Sequence, residues 1–157
     1  MSLKEIFDLA IKNHQNNNLE AAENFYKKTL KIDPNHMGAL NNLGLVFKGL
    51  GKLEMASNHF KKVIEIDPNH TFALNNLGLV LQELGKFQKA LHYFKKVIEI
   101  DPNYTHAHFN YGNTFNSLSE YQKALDCYQK VIEIDPGYKQ AFNNLGVVLL
   151  ELGKYQE

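Results

Sequence analysis

The strongest constraint on this chain is its period. Its four prolines stand at 34, 68, 102 and 136, so each step is 34 residues. The stretch from Met37 to Pro68, MGALNNLGLVFKGLGKLEMASNHFKKVIEIDP, returns with few changes from Thr71 to Pro102 and again from Thr105 to Pro136. It begins once more at Lys139. A fixed period of this size marks a solenoid, in which each unit buries its apolar face only by stacking on its neighbours. Within the first period, Ile6, Leu9 and Ala10 recur at helical spacing, which predicts a helix over 3–15. Asn16, Asn17 and Asn18 end it, because asparagine tolerates the left-handed conformation of a helix stop; the later units place Gly51, Gly85, Ser119 and Gly153 there. A second helix over 19–32 must stop before Asp33-Pro34, since the residue before proline is pushed out of the helical region. Repetition predicts first helices over 37–49, 71–83, 105–117 and 139–151, and second helices over 53–66, 87–100 and 121–134.

Small and large apolar residues recur at set places. Unit two has Leu40, Leu43, Gly44, Phe47, Ala56, Phe60, Val63 and Pro68; unit three has Leu74, Leu77, Gly78, Leu81, Ala90, Phe94, Val97 and Pro102. Unit four has His108, Tyr111, Gly112, Phe115, Ala124, Tyr128, Val131 and Pro136. Phe142, Leu145, Gly146 and Leu149 open the fifth, and the most divergent first unit has Ile6, Leu9, Ala10, Asn13, Ala22, Tyr26, Thr29 and Pro34. This pattern resembles the tetratricopeptide repeat family over the whole chain, although the family's tryptophan is missing throughout. The resemblance implies an all-α fold, a right-handed α-solenoid of antiparallel helix pairs. Residues 1–157 would form one domain, with repeats at about 3–36, 37–70, 71–104 and 105–138 and a partial repeat at 139–157. Gly44, Gly78 and Gly112 are expected to face Ala56, Ala90 and Ala124, so that paired helices approach closely.

Charge narrows the function. Basic and acidic residues both number 17, and all of the former are lysines. This neutrality argues against nucleic-acid and acidic-membrane surfaces, which need a basic excess. Without arginine the chain also lacks the planar fork that grips phosphate or carboxylate. No run approaches the ~20 apolar residues of a membrane helix, and Lys4, Glu5, Asp8 and Lys12 interrupt any secretory signal, so a cytoplasmic location is expected. Lysine–glutamate pairs on the second helices, such as those of Lys61-Lys62 and Lys95-Lys96 with Glu65 and Glu99, read as solvated.

Residues that could carry chemistry do not assemble into a site. His36 and His70 share a place with Tyr104 and Tyr138, which suits packing or a rim better than a metal. His106 and His108 are two apart and point to different sides of a helix, so no metal or cofactor is expected. Gly51-Lys52, Gly85-Lys86 and Gly153-Lys154 lack the serine or threonine and the upstream glycine of a phosphate loop. Asn69-His70-Thr71 and Asn103-Tyr104-Thr105 match the glycosylation triplet only as repeat spelling. Cys127, the single cysteine, reads as a small packing residue. No catalytic constellation is present, and a non-enzymatic role is expected.

The family resemblance implies that the first helices line a concave groove. The packed stripe Leu40, Leu43, Gly44 and Phe47 leaves Gly38, Asn41, Asn42, Leu45, Lys48 and Gly49 for that groove. The next unit supplies Phe72, Asn75, Asn76, Leu79, Gln82 and Glu83, and the following one His106, Phe109, Asn110, Asn113, Asn116 and Ser117. Asn42, Asn76, Asn110 and Asn144 hold one place in every unit but the first, which has Asp8. A side-chain amide both donates and accepts, so such a ladder can hold a peptide backbone whatever its side chains; alternatively it braces a neighbouring helix, or duplication copied it. Helices ~8–10 Å apart would meet an extended chain about every third residue. This is similar to the asparagine-lined superhelix of the O-linked N-acetylglucosamine transferases. The lysine-rich carboxylate clamp of chaperone-binding members is not matched: its places hold Phe7, Ile11, Asn42, Phe72 and Asn76, or Asn41, Leu45, Asn76, His106 and Asn110. The expected function is a protein-interaction module holding an extended peptide, with Asn42, Asn76, Asn110, Asn144, Asn41, Asn75 and Asn113 as polar contacts and Leu45, Leu79, Phe72 and Phe109 as apolar floor. Alternatives are the recruiting arm of a glycosyl- or sulfo-transferase, or a scaffold of stacked copies. Self-association is expected through Leu145, Leu149, Leu152 and Tyr155 at the C-terminal end.

Overall fold

A computed structural model describes residues 1–154. Among them lie nine helices: α1 (Leu3–Gln15), α2 (Leu19–Ile32), α3 (Met37–Gly49), α4 (Leu53–Ile66), α5 (Thr71–Glu83), α6 (Phe87–Ile100), α7 (Thr105–Ser117), α8 (Tyr121–Ile134) and α9 (Lys139–Lys154). The fold class is the all-α helical repeat that the period predicts. Boundaries match the expected ones except in α9, which continues through Gly153 to Lys154.

Two local devices set these boundaries. First helices end in Schellman turns: Lys52 N–H donates to Phe47 C=O at 2.8 Å and Gly51 N–H to Lys48 C=O at 3.0 Å. The pivot has φ of 71° at Gly51 and 70° at Gly85, and 58° at Asn17 and Ser119. A Cβ at Gly51 would meet nothing within 4 Å, so backbone conformation, not space, favours glycine there. Second helices end at Asp-Pro, where the aspartate does more than precede proline. Asp33, Asp67, Asp101 and Asp135 each accept a bond from the backbone N–H two residues on, at 2.9–3.1 Å. His36 and His70 then cap α3 and α5, their Nδ1 atoms accepting from the N–H of Ala39 and Ala73 at 3.1 Å. The expectation of a packing or rim role missed this capping.

The helices group into two compact units, Met1–Leu84 and Gly85 onward. In the first, each helix packs on the next and α3 also touches α5. Its core includes Leu40, Val63 and Ala73, with Leu30 and Ile64 against them. In the second, α6 to α9 pack in sequence around Leu91, Phe115, Ala124, Leu125, Tyr128 and Val148. Ala22, Ala56, Ala90 and Ala124 are fully buried, as are Tyr26, Phe60, Phe94 and Tyr128. The close approach at the glycines is to these aromatics, not to the alanines. A Cβ on Gly44 would sit 2.7 Å from the Phe60 ring, and one on Gly112 2.8 Å from that of Tyr128. Glycine there makes room for a ring that seals its helix pair.

Candidate functional site

The asparagine place lies on α3, α5, α7 and α9, and all four amides are half-buried. Their surroundings differ. Asn42 lies beside the Tyr26 hydroxyl of α2, lining the same cleft. Asn144 donates from Nδ2 to Asn113 Oδ1 at 2.8 Å, and the Tyr128 hydroxyl donates to that same oxygen at 2.8 Å. Burial raises the Tyr26 hydroxyl pKa and pushes that of Tyr128 up to about 12, while the neighbouring asparagines act in the opposite sense. Both phenols stay protonated and remain donors at neutral pH. At the places equivalent to these tyrosines stand Phe60 and Phe94, sixteen residues before Asn76 and Asn110, and a phenylalanine has no hydroxyl to offer.

In the first unit, Leu45 and Leu79 are half-buried on α3 and α5, beside the ladder. Phe72 stands 62% exposed on α5, its ring edge-on to His70. Asn75 is buried, so it belongs to the packing and not to an open face. Asn41 is half-buried; its Nδ2 lies 3.4 Å from Asn42 Oδ1, and its own Oδ1 is buried without a donor. Lys48 and Glu83, two expected groove charges, pair at 3.1 Å and neutralise each other between α3 and α5. Ile11, His14, Gln15, Tyr26 and Asn42 line an open cleft of about 360 Å³ that the sequence did not reveal. His14 Nδ1 lies 3.4 Å from the Tyr26 oxygen, and burial lowers the His14 pKa.

In the second unit, Asn110 is half-buried on α7. Phe109 is half-buried too, packed on Tyr128 and Tyr138 with ring centroids 5.9 and 5.0 Å away. It serves the core cluster in place of the open floor expected of it. Asn113 is occupied as the shared acceptor of Tyr128 and Asn144. The apolar residues of α9 divide: Leu145 and Leu152 pack inward with Val148, whereas Leu149 is 52% exposed, accompanied by Phe142, Val147 and Leu150. Tyr155 lies outside the described residues.

Burial, with the Asp126 carboxylate adding to it, holds the Cys127 thiol up at about 12, so it is no nucleophile at neutral pH. Among the described residues no three histidine, cysteine or acidic side chains gather to hold a metal, and no helix is long and apolar enough to cross a membrane.

With this geometry in view, the chain can be set beside known proteins. Tetratricopeptide repeat models match residues 39–70 and 72–104, 93–126, and 13–36, and a TPR repeat model matches 112–153. No curated protein matches the sequence. A crystal structure of MamA protein is 27% identical over 96% of this chain and 82% of its own, with a TM-score of 0.87. YrrB, described as a TPR protein with an unusual peptide-binding site, is 28% identical over 94% of this chain and 76% of its own, with a TM-score of 0.78. The first TPR of Spaghetti (RPAP3), bound to the HSP90 peptide SRMEEVD, is 23% identical over 74% of this chain and 93% of its own, with a TM-score of 0.73, and bears on the fold alone. Period, turn chemistry, buried pattern and family matches agree: the chain belongs to the tetratricopeptide repeat family.

Proposed function

We propose that this protein-interaction module holds an extended, weakly charged peptide segment of a partner along the faces of its first helices. The observation that carries the reading is the half-buried asparagine at one place on each of α3, α5, α7 and α9. An amide so placed is partly desolvated yet reachable, and it can donate to and accept from a peptide group. The Lys48–Glu83 pair supports a preference for weakly charged segments, since it leaves no net charge there. The likeness to YrrB supports a peptide as the ligand class. Asn76 and Asn110 follow Phe60 and Phe94 by sixteen residues, where Asn42 and Asn144 follow Tyr26 and Tyr128.

The test uses a peptide captured from a displayed random library. Two hydrogen bonds of ~0.5–1.5 kcal/mol each make the Asn76→Ala, Asn110→Ala double variant bind it roughly 5- to 150-fold more weakly. Its melting temperature should stay near the parent's. A large fall in melting temperature with unchanged binding would make the ladder structural.

A second reading, association of copies through α9, is favoured by the exposed Phe142, Val147, Leu149 and Leu150. Gly146 also has open space where Gly44 and Gly112 each receive an aromatic ring.

A further inference from the structure

Ile11, His14, Gln15, Tyr26 and Asn42 line a cleft between α1, α2 and α3. Three polar groups line its accessible part: the half-buried His14 and Asn42 and the exposed Gln15. Tyr26, wholly buried, forms its back wall beside Asn42. Ile11 supplies an apolar side. The equivalent place in the second unit is built differently. There Asn113 stands where Ile11 does, and it takes the Tyr128 hydroxyl at 2.8 Å, while His14 approaches the Tyr26 hydroxyl only to 3.4 Å. The first unit thus keeps polar capacity at a cleft of about 360 Å³, more room than a backbone amide alone fills.

No lysine, aspartate or glutamate lines the cleft, and burial keeps His14 neutral at neutral pH. A carboxylate entering would find no cation, and an ammonium no anion; either would lose hydration without compensation. Asn42 and Gln15 each present an N–H donor and a carbonyl acceptor, and neutral imidazole presents one of each. A primary carboxamide, with two donors and two lone pairs, complements this mixed set. Its methylenes would lie on Ile11.

We propose that this cleft is a carboxamide subsite that takes a glutamine or asparagine side chain of a bound segment. The inference rests on the peptide-binding reading for the origin of its ligand, though the chemistry of the cleft can be tested without it. The probe is N-acetylglutamine N-methylamide, titrated into the isotopically labelled chain and followed by nuclear magnetic resonance. Saturable shifts are expected at the Asn42 side-chain amide and the His14 ring. The glutamate and lysine analogues should bind at least about fivefold more weakly, the scale of one lost hydrogen bond. A His14→Leu, Gln15→Leu variant, with its fold verified by the unchanged remainder of the spectrum, should lose the response. Equal binding of the three analogues, no shift at His14 and Asn42, or an undiminished response in the folded variant would each overturn the proposal. If the glutamine probe behaves as expected while the Asn76→Ala, Asn110→Ala variant binds captured peptide as the parent does, the subsite stands and the ladder reading fails. If the ladder variant is impaired but the probe does not bind the cleft, the reverse holds.

Discussion

Asn113 and Tyr128 offer a sharp test of whether the polar contacts on the first helices are built in pairs. The Tyr128 side chain is fully buried, and its hydroxyl donates to Asn113 Oδ1 at 2.8 Å. The two preceding repeats place Leu45 with Phe60 and Leu79 with Phe94 at the same positions. Replacing Asn113 by leucine is nearly volume-conserving but leaves the hydroxyl without that acceptor, at a cost of ~1–3 kcal/mol. Adding Tyr128→Phe removes the orphaned hydroxyl and recreates the pairing of the middle repeats, so that part of the loss should return, leaving only the half-buried Asn144 amide without its former acceptor. Tyr128→Phe alone should cost ~0.5–1.5 kcal/mol, because Asn113 keeps its bond from Asn144. A double-mutant cycle should therefore give a coupling of at least ~1 kcal/mol, within the range found for residues in one network. Urea unfolding followed by far-UV circular dichroism gives the stabilities, and hydrogen exchange on α7 to α9 localises the effect, since repeats unfold in part independently. A double variant no more stable than Asn113→Leu alone would refute the reasoning and leave the Leu–Phe and Asn–Tyr pairings as accidents of duplication.

Acid should weaken the first unit before the second. Burial lowers the pKa of His14 and His59, so the unfolded chain protonates them more readily than the folded one; the stability they lend is present at neutral pH and is lost as pH falls through their unfolded value of about 6.5. Hydrogen exchange near pH 5, corrected for intrinsic rates, should show Met1–Leu84 opening more than the unit that follows, and equal opening would count against this. Association through α9 predicts that sedimentation equilibrium finds concentration-dependent mass for the parent and weaker association for Leu149→Glu, which puts a charge on the exposed face. A parent that stays monomeric into the millimolar range, or a variant that associates equally, would exclude that surface.

Helix boundaries were legible because their determinants are local. An asparagine, serine or glycine pivot and an Asp-Pro stop each act within a few residues, and the period repeats them. The family and fold class followed from the same repetition. The orientation of individual groove residues was less legible, because one letter at one place hides different partners. Asn42 and Asn144 look like Asn76 and Asn110, yet their neighbours differ sixteen residues upstream, tyrosine for the first pair and phenylalanine for the second. Phe109 looked like apolar floor because Asn41 and Asn75 hold its place in the middle repeats. The structure instead pairs it with Phe7 of the first repeat: Phe7 packs on Tyr26 and His36, and Phe109 on Tyr128 and Tyr138. Two places thus change together. The outer repeats combine a phenylalanine on the first helix with a tyrosine on the second, and the middle ones combine asparagine with phenylalanine. This exchange moves the polar atom from one helix of the pair to the other while an aromatic ring continues to fill the gap over the glycine, as at Gly44 and Gly112. It also accounts for Asn41, whose buried and unpartnered oxygen lies where the outer repeats carry a ring. Reading each place down the repeats shows the repetition; reading the places against one another shows which amides have a tyrosine sixteen residues before them.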